Sequence, residues 1–182
     1  MTNFPNPSGR PCLNLISTLG SRLTTNPNER LQTPADLDEW LTSQDLSASR
    51  STRADLVAAR SLREASYALV NSAISGTQPD RDALDIVNDT ARTAPRRQLT
   101  WTGTAYAAAE ARRPALDNLA LVAADTIALL TSPDRDRLHQ CEAHHCATPF
   151  LISPGTRPRR WCSSKTCGNR ARVHAYRQRA RT

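Results

Sequence analysis

Four cysteines stand in two matched pairs, Cys141-x4-Cys146 and Cys162-x4-Cys167, separated by fifteen residues. The segment that carries them holds few large apolar side chains, and so short a stretch cannot order its backbone by hydrophobic burial alone. Tetrahedral zinc takes four thiolate or imidazole ligands at about 2.0–2.3 Å, and two tight turns supply them economically. Metal binding then provides the missing folding free energy. The spacing therefore predicts a structural Zn²⁺ held by Cys141, Cys146, Cys162 and Cys167, in zinc-bound turns joined by a loop or hairpin. No ligand position is left for water, so catalysis at the metal is not expected. His144 and His145 lie inside the first pair, and either could replace a cysteine. Because the pairs already supply four sulfurs, the histidines read as solvent-facing knuckle residues. Cys12, far away in "PCLNLI", reads as a small buried apolar residue, with a redox role as the alternative.

Charge is segregated in the same way. The net charge is +7, yet residues 1–134 hold 13 arginines against 15 carboxylates and residues 135–182 hold eleven cations against two carboxylates. The last quarter of the chain is thus a candidate grip for a polyanion. After Cys167 comes "GNRARVHAYRQRART", which reads as a basic helix. Arg170, His174, Arg177 and Arg181 share one narrow arc, and Arg172, Tyr176 and Arg179 a second face. Arg157, Arg159 and Arg160 form another cluster between the cysteine pairs, and Lys165 lies inside the second pair. These nine cations are the candidate nucleic-acid contacts. Arg170, so close to Cys167, could instead brace the zinc knuckle. Four thiolates and Zn²⁺ together carry −2, so the module stays strongly basic. Trp161 reads as a packing residue in a minimal core. The plainer alternative for the whole stretch is a solvated basic tail.

Upstream, 38% hydrophobic and 4% aromatic residues favour a core of packed helices built from Leu, Ala, Val and Ile. "TPADLDEWL" marks a helix start, with Thr33 as cap, Pro34 in the first turn and Asp36 closing a capping box. A longer helix over 51–75 places Ala58, Leu62, Ala65, Leu69 and Ala73 on one stripe and stops at Gly76. A third, over 79–92, turns Leu84, Val87 and Ala91 inward. "RQLTWTG" (97–103) reads as a short strand and turn. After Pro114 the strongest helix presents Leu116, Leu119, Ala120, Ala123, Ile127 and Leu130, and is central to the core. "TSPDRDR" marks a boundary. The expected fold is a mainly α domain with a short β element (1–134), followed by a small four-cysteine zinc finger (135–182).

The first sixteen residues lack the pattern of a secretory signal, and the apolar run "LALVAA" is too short to cross a bilayer. A soluble, cytoplasmic chain with reduced thiols is expected. No nucleophile elbow, P-loop or H-E-x-x-H pattern is present, and the acidic residues read as helix-surface charges, so no enzyme is expected.

"RRWCSSKTCGNR" followed by "ARVHAYRQR" closely resembles the CGNR zinc finger, with Cys141, Cys146 and Phe150 matching its first half. Ile152 stands where that family usually has an aspartate. "CLNLISTLGSR" resembles the opening "LDFxNT" segment of the ABATE domain, with Asn14 and Ser17 in place of the usual Asp and Asn. "TPADLDEWL" and "RQLTWTG" sit where that domain has its Trp-containing helix and short strand. The resemblance implies a bacterial, stress-induced transcription regulator. Together with the charge, it makes double-stranded DNA the expected partner, beside a possible small-molecule ligand or homodimer contact of the N-terminal domain. The alternatives are an RNA-binding or ribosome-associated zinc protein and a zinc-stabilised protein-interaction module.

Overall fold

A computed structural model describes residues 4–5, 9–46, 50–95, 99–108, 113–156 and 158–179. The N-terminal region is built from α1 (Pro11–Ile16), α2 (Pro34–Ser43), α3 (Arg53–Ser75), α4 (Arg81–Ala91) and α5 (Ala115–Leu130). Helix α5 packs on α1, α3 and α4, and α2 closes against α3. Short α1 sits inside this layer, with Cys12, Leu13, Asn14, Leu15 and Ile16 all buried. The capping box at Thr33 and Asp36 forms as expected, and a second one, Thr52 with Asp55, starts α3. Each satisfies two N–H groups that a helix start leaves without partners. Helix α3 ends at Gly76, which adopts a left-handed conformation.

The inward faces differ from the sequence reading in phase. On α4, Ala83 and Val87 are buried while Leu84 is exposed. On α5, Leu116 and Ile127 face outward, and Ala115, Leu119, Val122, Thr126 and Leu129 form the buried ridge. That helix is apolar around most of its circumference, so periodicity alone fixes no face and packing chooses. On α3, Leu62, Ala65 and Leu69 are buried as expected, whereas Ala58 and Ala73 are only half-buried. Ser66 on α3 meets Thr126 on α5 at 3.1 Å between hydroxyl oxygens, so the helix contact carries a polar pin.

An ion network around buried Arg63 qualifies, for half-buried Glu29 alone, the view of the acidic residues as surface charges. Arg63, 3% exposed, donates to both Glu29 carboxylate oxygens at 2.7 Å and to Glu64 Oε1 at 2.7 Å. Arg22 pairs with the other Glu64 oxygen at 2.7 Å and stacks over Tyr67. Burial pushes both carboxyls up in pKa, but Arg63 with Arg60 at Glu29, and Arg22 with Arg63 at Glu64, hold them below their ordinary value. Glu29 lies in a two-stranded ribbon, β1 (Leu19–Gly20) with β2 (Asn28–Glu29), so this network fixes the ribbon to α3.

The strand expected near residue 99 is found as β3 (Leu99–Trp101), paired antiparallel with β4 (Tyr106–Ala108). Its apolar side chains do not enter the core. Leu99, Trp101 and Tyr106 are exposed, and the two aromatic rings meet edge to face at 5.1 Å. No helix among the described residues is long and apolar enough to cross a membrane.

After α5, Ser132 caps a short 3₁₀ turn (Pro133–Arg137) that leads into β5 (Leu138–Gln140), which pairs with β6 (Pro149–Leu151). Successive strand residues point to opposite faces. One face sends Leu138 and Leu151, directly opposite each other, into the helical core. The other sends Phe150, fully buried, beneath the cysteines. This hairpin is the joint between the two regions. A π-type turn (Ser164–Gly168) and helix α6 (Asn169–Arg179) follow.

Candidate metal centre

Cys141 stands directly after β5 and Cys146 in the turn before β6, while Cys162 precedes the π-type turn and Cys167 lies within it. The first turn is closed by Cys146 N–H donating to Ala143 O at 2.8 Å, and Cys141 N–H bonds Thr148 O at 3.0 Å. In the second, Gly168 N–H donates to Ser163 O at 2.9 Å. These bonds aim all four sulfurs at one point, within 4.8 Å of one another. Two of the separations, Cys146–Cys162 and Cys162–Cys167, are 3.7 Å. A tetrahedron with metal–sulfur bonds of about 2.3 Å has edges of about 3.8 Å, so the sulfur set fits a tetrahedral ion.

The four thiols cannot all ionise at such close range without a countercharge. Cys146 is pushed far down in pKa by hydrogen bonds from the thiols of Cys141 and Cys162, aided by Thr148. Cys162 is pushed far up by the same sharing with Cys141 and Cys146. Cys167 rises to about 12 through burial, then through the charge of Cys146 and Cys141. One proton thus cannot leave without the others holding on more tightly. A divalent cation at the centre removes the conflict by stabilising every thiolate. Thr148 Oγ1, 3.2 Å from Cys146 Sγ, is placed to donate to a bound thiolate.

His144 is exposed, and half-buried His145 has its Nε2 4.0 Å from Cys167 Sγ and 3.3 Å from Arg170 Nη1. Neither belongs to the sulfur cluster. Cys12 lies apart, fully buried in the helical core, with burial and then the charge of Asp125 raising its pKa well above the ordinary thiol value.

The basic residues divide by what holds them. Arg160 pairs with Glu142 at 2.6 Å, and Arg159 donates to Leu151 O at 3.2 Å while stacking over Phe150. Arg172 donates to Ser164 O at 3.3 Å. Lys165, Arg177 and Arg179 are exposed. Arg157 and Arg181 lie outside the described residues. Trp161 packs in the finger as expected, and its Cδ1 would lie only 3.0 Å from a Cβ at position 168. Gly168 is therefore the residue that lets the indole close over the second turn. Sequence reasoning missed Thr148 and Gly168. Both lie within two residues of a ligand cysteine, which is the local signal that could have found them.

A helical layer joined through one hairpin to a four-sulfur metal site and a basic helix defines a metal-finger protein with a helical N-terminal domain. The comparisons name that class. A family model described as "Putative stress-induced transcription regulator" (ABATE) matches residues 9–133, and the CGNR zinc finger matches residues 137–180. The chain belongs to the ABATE family and carries a CGNR zinc finger behind that domain. No curated protein matches it.

Proposed function

We propose that this cytoplasmic protein is a transcription regulator whose finger, folded around one structural Zn²⁺ on Cys141, Cys146, Cys162 and Cys167, grips double-stranded DNA. In this reading residues 1–134 form a ligand-sensing or dimerisation domain and residues 135–182 the reading head. The observation that carries it is the state of α6. Its side chains Arg172, Val173, His174, Tyr176, Arg177 and Arg179 are all exposed, and it packs mainly on the turn that precedes it, with Arg170 and His174 meeting His145 and His144 of the first cysteine turn. An eleven-residue helix with that little packing is marginal in water, and its arginines repel one another. A row of phosphates relieves both problems, and a duplex groove admits a helix of this width.

Arg172, Arg177 and Arg179 are assigned to phosphates or base edges. Arg170 braces the knuckle through His145, Arg160 is largely occupied by Glu142, and Arg159 approaches the DNA from the turn side. The test is binding of the zinc-loaded chain to duplex DNA, RNA and an acidic polypeptide across a salt series. Arg177→Ala should leave folding intact and lower the salt slope by about one if it meets a phosphate. If it reads a base, the cost is roughly 1–3 kcal/mol and preference relaxes at one position. Equal affinity for all three polymers, or no loss when Arg177 and Arg179 are neutralised together, would defeat the reading.

A further inference from the structure

A cleft of about 620 Å³ opens between the β1–β2 ribbon and the finger. The helical region lines one side with Arg30, and the finger lines the other with Arg159, Lys165 and Arg170. Among the described residues no Asp or Glu lines it. Four thiolates with a divalent ion offset two of these four charges, which leaves an excess of about two. The volume falls within the roughly 300–1,000 Å³ of small-molecule sites, which favour junctions between domains.

Arg30 is the informative residue. It follows Glu29, which the Arg63 network pins, and its own N–H bonds Thr18 O at 3.0 Å. Its guanidinium lies across Gly20, where a Cβ would come within 2.9 Å of Nη1, and that nitrogen donates to Ser17 O at 3.2 Å. Burial lowers its pKa, opposed by the charges of Glu29 and Cys146. Among the described residues no carboxylate lies within ion-pair distance of Arg30 or of Lys165. A partly desolvated guanidinium held in place without a carboxylate is costly, and its flat fork suits the paired oxygens of a phosphoryl group. The hydroxyls of Ser21 and Ser164 in the same lining add neutral donors.

We infer that this cleft binds a small phosphorylated molecule, with its phosphoryl group held between Arg30 of the helical region and Lys165 and Arg170 of the finger. Such a ligand bridges the two regions and ties the orientation of α6 to its own concentration. The inference deepens the sensing role proposed above and rests on it, but it does not depend on DNA being the polymer bound.

The test is calorimetric titration of the zinc-loaded full chain with inorganic pyrophosphate at fixed ionic strength, with metal content measured afterwards. Saturable one-to-one binding is expected. Arg30→Gln and, separately, the exposed Lys165→Gln should each weaken it by at least about tenfold. Arg177→Gln, outside the cleft lining, should leave it unchanged. Absence of saturable binding, or unaltered affinity in a folded Lys165→Gln protein, overturns the site. Duplex DNA that competes with pyrophosphate, and loses affinity equally in Arg30→Gln, overturns the small-molecule assignment in favour of a backbone phosphate. Pyrophosphate binding without any DNA binding would uphold the cleft and remove the DNA reading instead.

Discussion

The helical region and the finger are held together by different physics, although one hairpin serves both. Around α1 and α5 the chain buries Leu13, Leu15, Ile16, Trp40, Leu119 and Leu129 completely, and area removed from water stabilises the layer. The finger has Phe150 as its one fully buried large side chain among the described residues, with Trp161 and Ile152 only packed against it. Its remaining order comes from sulfur atoms that need a cation. The lesson is that one strand pair can divide its faces between a solvent-excluded core and a metal-built one. Leu138 and Leu151 belong to the first, and Phe150 to the second.

The largest effect that sharpens this contrast should follow loss of a ligand. Cys162→Ser removes one of four thiolates, and structural zinc sites supply on the order of 10 kcal/mol, so metal content should fall and α6 should melt while α1–α5 stay folded. Elemental analysis with circular dichroism reads both. Next come two aromatic truncations, each expected to cost about 3–5 kcal/mol but in different places. Trp40→Ala should lower the melting of the helical region, and Phe150→Ala should loosen the metal. Thermal melts run alongside competition with a chelator separate them, and identical behaviour of the two variants would erase the distinction.

A smaller effect is expected from the ion network. Arg63→Met leaves Glu29 short of its main partner and Glu64 with Arg22 alone, and should cost about 3 kcal/mol at neutral pH. Because both carboxyls are held below their ordinary value, their contribution is present above about pH 4.5 and is lost as the pH falls through their folded values. Urea melts across acid pH should show that slope in the parent and a flatter one in Arg63→Met. Smallest is Cys12→Ala, on the order of 1 kcal/mol, with metal content and polymer binding unchanged. Loss of metal from that variant would mean that the sulfur set is misassigned.

Local chemistry was legible in the sequence where it is governed by neighbours along the chain. The Thr33 cap, the Gly76 stop and the pairing of cysteines all depend on residues a few positions apart. Phase on α4 and α5 was not, because tertiary contacts chose among several apolar faces. The burial of Arg63 left a readable trace. It stands seven residues from both Leu56 and Val70, on the inward side of α3, where a solvated charge would not belong. Arg30 left none, since the finger residues it faces lie more than a hundred positions away. The two-faced hairpin was also invisible, because "LHQ" and "PFL" are too short to show an alternation.

Amide hydrogen exchange of the full chain before and after chelation tests the division of stability most directly. On metal removal, protection should collapse over residues 158–179, weaken at the β5–β6 hairpin, and persist in α1, α3 and α5. Parallel loss of protection in α3 and α5, or an unchanged finger in metal-free protein, would contradict the account.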